Sequence, residues 1–228
     1  MFRPDKYIDM SKTDFDDIFS GIESIWNILP LIEKYITEKD AQWFRKRGYK
    51  EHSEGVYVGE NSVVSPDGVI KAPAIIGHRC EIRHAAFIRG KAIIGNNVTV
   101  GNSCEIKNSF ICDEAQIPHF NYVGDAVLGY KSHLGAGVIC SNVRSVPGNV
   151  KVKNGDEKID TGLRKFSAIV SDNAEVGCNA VLSPGSIVGR NSVVYPLSFF
   201  RGVLKDNKIY KQNGEISDLR SSGIIDFH

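Results

Sequence analysis

The sequence has no long apolar run and no strongly charged segment. Its 28 Lys and Arg residues balance 27 Asp and Glu residues, and no basic run marks a surface for nucleic acid or anionic lipid. No stretch approaches the roughly 18 consecutive apolar residues of a transmembrane helix. The opening residues, MFRPDKYIDMSKTDFDD, lack the apolar core of a signal peptide. These absences predict a soluble, cytoplasmic protein whose partners include neither nucleic acid nor membrane.

Paired cysteines are also missing. The five cysteines are odd in number and lack close CxxC pairing. Cys80 and Cys104 fall at small interior positions of the repeat described next, so we expect both to be reduced core residues.

What the sequence does contain is a period of six. This period fits neither an amphipathic helix, with about 3.6 residues per turn, nor an alternating strand. A small or slim residue precedes most of the repeated aliphatic residues by two positions. The pattern predicts a mainly β protein, a parallel β-helix of hexapeptide repeats that forms a narrow three-sided prism. The repeated residues are Val58, Val64, Ile70, Ile76, Ile82, Ile88, Ile94, Val100 and Ile106.

The geometry of such a prism fixes which residues become neighbours. Three hexapeptides close a coil of about 18 residues, and coils stack at about 4.8 Å. Ile70, Ile88 and Ile106 are therefore predicted to line one edge of the interior. Gly and Asn at the corners suit the positive φ of sharp turns. Hexapeptide proteins of this kind coil left-handed, which is a property of the class and does not follow from the spacing.

The pattern divides the chain into three parts. Residues 53–200 carry the β-helix, residues 1–52 form an N-terminal helical cap or arm, and residues 201–228 form an irregular tail. An apolar stripe predicts helix within residues 14–39, interrupted at Pro30. This helix either covers the open end of the first coil, since solenoids need capping, or docks on a partner.

The repeat is irregular in three places. It shortens by one residue between Ile106 and Ile111, and again between Val123 and Leu128. Residues 144–164 interrupt it completely, and their charge and glycine content predict a loop extruded from the coil. A site is expected where a scaffold departs from its own rule.

Register arithmetic brings polar side chains together beside the first shortened corner. Arg89 and Lys107 should stack one coil apart, which favours a phosphate or carboxylate between them, although two solvated surface cations are an alternative. Glu105 and Tyr122 should also stack. His119 occupies the corner that opens the same face, where the Glu105 carboxylate could hold its imidazole as a general base. A purely structural histidine is the alternative.

Four segments in this region resemble the acetyltransferase half of the bifunctional bacterial enzyme that makes UDP-N-acetylglucosamine from glucosamine-1-phosphate. They are FIRG, VGNSCEIKNS, PHFNYVGD and LGAGVICSN, and the likeness runs from about Phe87 to Val194, with both shortened corners in the same places. The resemblance implies a left-handed β-helix acyltransferase of the hexapeptide-repeat family. It also implies acetyl-CoA as co-substrate and a homotrimer with sites between subunits.

The same resemblance implies roles for individual residues. The catalytic base matches His119, the glutamate that orients it matches Glu105, and a backbone contact to coenzyme A matches Ala136. His133 stands where the family has a sugar-binding asparagine, and Cys178 where it has a serine that helps to bind the acyl group. The family's C-terminal arginine that binds coenzyme A has no clear counterpart. Sugar-phosphate contacts match Arg89, Lys107, Tyr122, Asn142 and, more loosely, Lys165.

The predicted function is acyl-CoA-dependent N-acetyl transfer to an amino sugar or an amino-sugar phosphate such as glucosamine-1-phosphate. Residues 1–52 are too short for the family's nucleotidyltransferase domain, and its glycine-rich nucleotide loop is missing, so synthesis of a nucleotide sugar is not expected. A non-catalytic scaffold that binds a sugar phosphate or nucleotide sugar is the alternative, favoured by His133 and Cys178. A metal-dependent hydratase, as in the β-helical carbonic anhydrases, is disfavoured because no two of the six histidines have the close spacing of that class, and no metal site is predicted.

Overall fold

A computed structural model describes residues 2–219, which form a left-handed parallel β-helix of about nine turns. The sixfold aliphatic positions from Ile76 to Ile106 point inward and are at most 1 % exposed. Corner residues such as Asn61 and Asn97 adopt positive φ, at 60° and 55°, where the short polar side chain of Asn is tolerated. The predicted fold class is confirmed.

Short strands build the three faces of the prism. Face A contains β1, β2, β5, β8, β11, β14, β19, β22 and β25; face B contains β3, β6, β9, β12, β15, β20, β23, β26 and β27; face C contains β4, β7, β10, β13, β16, β21 and β24. In chain order the strands are β1 (Tyr49–Ser53), β2 (Val56–Gly59), β3 (Val63–Val64), β4 (Val69–Ile70), β5 (Ala74–Ile76), β6 (Glu81–Ile82), β7 (Phe87–Ile88), β8 (Ala92–Ile94), β9 (Thr99–Asn102), β10 (Glu105–Lys107), β11 (Ser109–Ile111), β12 (Gln116–His119), β13 (Tyr122–Gly124), β14 (Val127–Leu128), β15 (His133–Leu134), β16 (Ile139–Cys140), β17 (Lys151–Asn154), β18 (Glu157–Asp160), β19 (Ala168–Val170), β20 (Glu175–Val176), β21 (Val181–Leu182), β22 (Ser186–Val188), β23 (Val193–Val194), β24 (Phe199–Phe200), β25 (Val203–Leu204), β26 (Lys208–Tyr210) and β27 (Ile216–Asp218).

The register between coils follows the sequence spacing. Ile76 pairs with Ile94, 18 residues later. Ile94 then pairs with Ile111, and Ile111 with Leu128, each 17 residues apart. Both shortened corners are therefore confirmed, and the interior stays filled because only the corner loses a residue.

The N-terminal segment lies along face A. The outward side chains of this face are apolar, and Ile75, Ile93 and Phe110 are 0 % exposed beneath the segment. The ring centroid of Phe19 lies 4.9 Å from that of Phe110. Burying each such side chain contributes about 1.5–3 kcal/mol, so the segment is an integral layer of the fold. It comprises 3₁₀ helices at Pro4–Lys6, Met10–Lys12, Asp16–Phe19 and Ile25–Leu31, and the α-helices α1 (Ile32–Thr37) and α2 (Ala41–Lys46).

This position corrects the prediction of a helix over the open end of the first coil. The inward Val64 and Ile70 of that coil are only half-buried, and at that end β1 pairs antiparallel with β2. The apolar outer surface of face A runs through most of the coils. It is larger than the open end of the first coil, so burying it explains the position of the segment. Within residues 14–39 the backbone forms short helical pieces, separated by Gly21 at positive φ.

The interruption at residues 144–164 is more ordered than the predicted loop. Strands β17 and β18 form an antiparallel hairpin. Val150 and Val152 are 0 % exposed and join the apolar layer on face A. The hairpin therefore packs against its own chain.

The β-helix also extends past the predicted boundary at residue 200. Val188 pairs with Leu204, and Val194 with Tyr210. These partners are 16 residues apart, which hides them from a search for a strict sixfold period. Residues 220–228 of the predicted tail lie outside the described residues.

The described part of the chain contains no helix that is both long and apolar enough to cross a membrane. Within residues 2–219 there is also no cluster of three or more His, Cys, Asp or Glu side chains arranged to hold a metal ion. Cys80 and Cys104 are buried and free, as predicted. Burial raises the pKa of the Cys80 thiol to about 11.

Candidate functional site

Face C carries most of the predicted site. Its outward column brings Glu105 of β10 directly beside Tyr122 of β13, as the sequence predicts. Both side chains are half-buried. The other members of the column are apolar, so Glu105 provides its only charge. The column runs Val69, Phe87, Glu105, Tyr122, Ile139, Val181 and Phe199.

Two cations line the edge of face C that adjoins face A. Arg89 and Lys107 lie one coil apart, as predicted, and the N–H of Arg89 donates to the Ile106 carbonyl at 2.8 Å. Each cation already has a carboxylate partner. Arg89 lies 2.6 Å from Glu105, which raises the pKa of Arg89, and Lys107 lies 2.9 Å from Asp125. The protein itself therefore balances the charges that were expected to hold an anion.

Asp125 is a residue of this edge that the sequence reasoning did not assign. Its side chain is only 4 % exposed, and its carboxylate accepts hydrogen bonds from Lys107, from Asn108 at 2.8 Å and from Asn142 at 2.5 Å. Its position at a shortened corner, at the end of the quoted segment PHFNYVGD, was the available signal. Asp125 thus fixes both Lys107 and Asn142, two of the predicted substrate contacts.

The Tyr122 hydroxyl folds back over Gly124. A Cβ at residue 124 would lie 2.4 Å from that hydroxyl, so only glycine allows this side-chain position. The phenol hydrogen-bonds with Asn142. Burial, followed by the charges of Asp125 and Glu105, raises the pKa of Tyr122, and the phenol stays protonated at neutral pH.

The N-terminal segment walls one side of this edge. Glu33 of α1 forms an ion pair with Lys91 at 2.7 Å. A cavity of about 370 Å³ lies between the segment and the prism, lined by Glu33, Arg89, Lys107 and Asp125 among others. We call it the acceptor cavity. It was not foreseen, because nothing in the sequence showed where residues 1–52 would lie.

The opposite edge of face C, at the corner with face B, aligns three predicted residues. The N–H of Gly137 donates to the His119 carbonyl at 3.0 Å, and the N–H of Asn179 donates to the Ala136 carbonyl at 2.8 Å. His119, Ala136 and Cys178 therefore occupy one corner column in three successive coils, separated by about 4.8 Å per coil. His119 and Cys178 are exposed. The sequence predicted these three residues individually, and their common column follows from the register.

The predicted contact between Glu105 and His119 is not formed among the described residues. The Glu105 carboxylate faces Arg89, and within residues 2–219 no hydrogen bond or ion pair connects it to the His119 imidazole. The His119 backbone N–H donates to the side-chain oxygen of Asn121 at 3.1 Å. The physical reason is that the Arg89 guanidinium, one coil away, offers the carboxylate a full positive charge and a charge-assisted hydrogen bond.

His133 lies on face B, away from the acceptor cavity. It is the ladder neighbour of Gln116 and Glu175, and its Nδ1 lies 2.6 Å from the Glu175 carboxylate. The imidazole–carboxylate pair predicted for His119 thus occurs at His133. Within one chain His133 lies on face B and Tyr122 on face C, so the sugar contact predicted for His133 stays a prediction.

Lys165 lies beside Asn142 at the end of the inserted hairpin. It forms an isolated antiparallel bridge with Val143, and the N–H of Phe166 donates to the Asn142 carbonyl at 3.1 Å. The Lys165 side chain is exposed. The backbone thus brings Lys165 to the predicted edge.

Comparison with known proteins places the same region in context. Residues 71–159 match the family described as the GMPPB C-terminal domain. The chain is 34% identical over 110 residues to the bifunctional protein GlmU of Methanococcus vannielii, covering 47% of this chain and 26% of that protein. It is 34% identical over 90 residues to a bifunctional sugar-1-phosphate nucleotidylyltransferase/acetyltransferase of Sulfurisphaera tokodaii, covering 40% and 22%. The chain thus spans between 22% and 26% of the length of these relatives, in their acetyltransferase part.

Solved structures share the architecture at low sequence identity. The Arabidopsis UDP-N-acetylglucosamine acyltransferase has a TM-score of 0.52 and 11% identity, covering 76% of this chain and 69% of that one. The perosamine N-acetyltransferase of Caulobacter crescentus, in complex with CoA and GDP-perosamine, has a TM-score of 0.43 and 15% identity, covering 68% and 56%. The similarity to the Arabidopsis enzyme supports the fold. The chain has the hexapeptide-repeat, acetyltransferase-like fold that the quoted segments imply.

Proposed function

We propose that the chain is an acyl-CoA-dependent N-acetyltransferase that acts on an amino sugar or an amino-sugar phosphate. The observation that carries the proposal is the corner column of His119, Ala136 and Cys178, which runs along face C opposite the polar edge of Arg89 and Lys107. An acceptor on the polar edge and a thioester along the column would meet on one face.

His119 is the proposed general base. Its exposed imidazole takes the proton from the acceptor amine while nitrogen bonds to the thioester carbonyl carbon. The carbon–sulfur bond then breaks, and the proton passes from the imidazole to the departing coenzyme A thiolate. The products are the N-acetylated sugar and free coenzyme A.

The corner column also offers donors for the oxyanion. Within residues 2–219, the backbone N–H groups of Ala136 and Cys178 donate to no protein acceptor, and both lie in coils that follow His119. Backbone donors aimed at a developing oxyanion typically contribute about 2.7–4 kcal/mol to transition-state stabilisation. The residues present therefore fit a coenzyme A thioester, with Ala136 and Cys178 holding its acyl end.

Acceptor binding would rearrange the ion pair between Arg89 and Glu105. A sugar phosphate that reaches Arg89 competes with the Glu105 carboxylate for the same guanidinium. The released carboxylate can then turn towards His119, which is the arrangement needed to orient a catalytic imidazole. Lys107, Tyr122, Asn142 and Lys165 would complete the acceptor contacts.

The proposal includes a homotrimer of parallel prisms. Two large apolar side chains stay exposed where a second copy would pack: Phe120 and Leu197, at the corner beside His119, are 61% and 68% exposed. Phe120 and Leu197 also adopt positive φ, at 53° and 59°, an unfavourable backbone state for large side chains. Sedimentation equilibrium should give three times the 25.1 kDa chain mass, and a monomer would contradict this part.

The test of the activity is acetyl transfer from acetyl-CoA to glucosamine-1-phosphate and related amines. We expect turnover of at least one amine by the wild type and its loss in His119→Ala. If no amine is acetylated, the enzyme proposal is wrong.

A non-catalytic sugar-phosphate scaffold is the second candidate. It is favoured by the pairing of Glu105 with Arg89, which leaves His119 without an orienting carboxylate in this structure. Calorimetry separates the two, because a scaffold would bind the sugar phosphate and ignore coenzyme A.

A further inference from the structure

A second cavity lies between the inserted hairpin and the last coils of face C. It measures about 530 Å³, within the usual range of small-molecule sites. All of its charged lining residues are cations, namely Arg144, Lys151, Lys153, Lys158 and Arg201. We call it the hairpin cavity.

One carboxylate lies near the cations of the hairpin cavity: Asp160 is opposite Lys151 in the hairpin register and interacts electrostatically with Lys151 and Arg144. Within residues 2–219 none of the five cations forms an ion pair, and Arg144 uses one N–H to reach the Asn149 carbonyl at 2.7 Å. Lys153 lies directly opposite Lys158 in the hairpin register. Like charges opposite one another in a sheet are destabilising, so an anion between them would relieve a local cost.

The acceptor cavity is different. There Lys91, Arg89 and Lys107 are each paired with a carboxylate, from Glu33, Glu105 and Asp125 respectively. An anion entering the acceptor cavity must displace a carboxylate from an ion pair, whereas the cations of the hairpin cavity form no ion pair within the described residues. This difference favours the hairpin cavity for a strongly anionic group.

The uncharged lining narrows the kind of ligand. Ser141, Ser145 and Ser183 bring hydroxyl donors suited to phosphate oxygens. The Phe199 ring, 63% exposed, offers a flat apolar surface at the same cavity. A ligand with two linked phosphates and an aromatic base uses both features, since bases stack on aromatic side chains.

We propose that the hairpin cavity binds the nucleoside diphosphate portion of a ligand. Lys107, Gly124 and Ser141 are ladder neighbours in three successive coils at the same edge of face C. Ser141 therefore lies two coils, or about 10 Å, from Lys107. A ligand anchored there extends across face C towards the His119 column. This inference rests on the proposed function. The nucleoside diphosphate portion belongs either to the coenzyme A end of the donor or to a nucleotide-linked amino sugar.

Equilibrium binding tests the proposal without turnover, so it can fail or succeed independently of the proposed activity. Calorimetry would use ADP, UDP, coenzyme A and inorganic phosphate with four proteins. These are the wild type, Lys153→Gln/Lys158→Gln, Phe199→Ala and the control Lys46→Gln/Lys50→Gln. All four lysines are exposed, so both double variants keep the fold and lose the same charge.

We expect at least one of ADP, UDP and coenzyme A to bind, with affinity falling as salt rises. Lys153→Gln/Lys158→Gln should weaken that binding at least tenfold and Phe199→Ala several-fold, while the lysine control binds as the wild type does. Binding of coenzyme A and ADP without UDP assigns the donor, and binding of UDP without coenzyme A assigns a nucleotide-linked acceptor. The proposal is overturned if none of the three binds, if the hairpin variant binds like the control, or if inorganic phosphate binds as tightly as ADP.

Discussion

The Glu105 carboxylate lies 2.6 Å from the Arg89 guanidinium, one coil earlier on face C. The two side chains are 34% and 44% exposed, so water screens the pair and its contribution to stability is small. An anionic acceptor can therefore displace Glu105 from Arg89 at low cost. In the proposed function, exchange of this ion pair connects acceptor binding to the orientation of His119.

Arg89→Gln should raise KM for a sugar-phosphate acceptor about tenfold or more and leave kcat within a few-fold. The substitution removes a phosphate contact but frees Glu105 to orient His119. Steady-state kinetics with the phosphorylated acceptor and its unphosphorylated form give the measurement, and the unphosphorylated amine should show no KM increase. A fall in kcat at unchanged KM would contradict the proposed exchange.

Glu105→Gln should act through His119 as a loss of positioning. We expect kcat to fall about tenfold to a hundredfold, with a changed pH profile of kcat, because the amide cannot stabilise a protonated imidazole. Glu105→Asp should restore part of the rate. An unchanged pH profile together with a lowered free energy of unfolding would indicate a merely structural role.

His119→Ala should reduce kcat by about 10²–10⁴-fold, the usual range for a general base, with little change in stability because His119 is exposed. The matched control is His84→Ala. His84 occupies the same corner column two coils earlier, where its carbonyl accepts from the N–H of Ser103. Equal rate losses in the two variants would remove His119 from the mechanism.

Sequence reasoning succeeded where geometry is fixed by spacing. The period of six gave the prism, and the two missing residues after Ile106 and Val123 gave the register that sets Glu105 beside Tyr122. It could not give rotamers: the choice of Glu105 between Arg89 and His119 depends on a local competition between charges.

Contacts between distant segments were also beyond the sequence. The N-terminal segment has no repeat, so its position could not be predicted from spacing. In the structure Glu33 pairs with Lys91 and lines the acceptor cavity. The inserted hairpin was expected to be a loop because its charged surface conceals Val150 and Val152, which are buried on face A.

Asp125→Asn should destabilise the fold by about 2–4 kcal/mol. The nearly buried carboxylate accepts from Lys107, Asn108 and Asn142, and an amide leaves Lys107 partly buried without its counter-charge. Urea unfolding gives the free energy of unfolding. The control Glu215→Gln removes the exposed ion pair with Lys211 and should cost much less stability than Asp125→Asn. Equal losses would contradict the importance of the hydrogen bonds that Asp125 accepts.

Thiol labelling should distinguish Cys178 from the other cysteines. Cys178 is exposed and the other four are buried, and burial raises the pKa of Cys140 to about 12. At mildly alkaline pH a disulfide reagent should therefore modify one thiol rapidly in the native protein and all five in denaturant. Cys178→Ser should abolish the rapid phase, and coenzyme A should slow it in the wild type. Rapid labelling that survives Cys178→Ser would contradict the assigned exposure.

Asp113→Asn should remove a contribution to stability that decreases as pH rises through the acidic range. Burial is the main cause that raises the pKa of Asp113 above its ordinary value of 3.8, and the charge of Asp14 acts in the same direction. The Asn96 side chain donates to both Asp113 and Asp14. A raised carboxyl pKa means that the folded state binds the proton more tightly than the unfolded state. Its contribution to stability is therefore complete below pH 3.8 and is lost as pH rises through the folded pKa.

The free energy of unfolding of Asp113→Asn, minus that of the wild type, should consequently increase as pH rises from about 3.5 to 7. Urea unfolding at a series of pH values gives this difference. Asp160→Asn provides a control of opposite sign, because the N–H of Gly162 lowers the pKa of Asp160. There the wild type gains stability above the ordinary carboxyl pKa, so the same difference should decrease as pH rises. If this difference changes with pH in the same direction for both variants, the raised pKa of Asp113 does not control the pH dependence of stability.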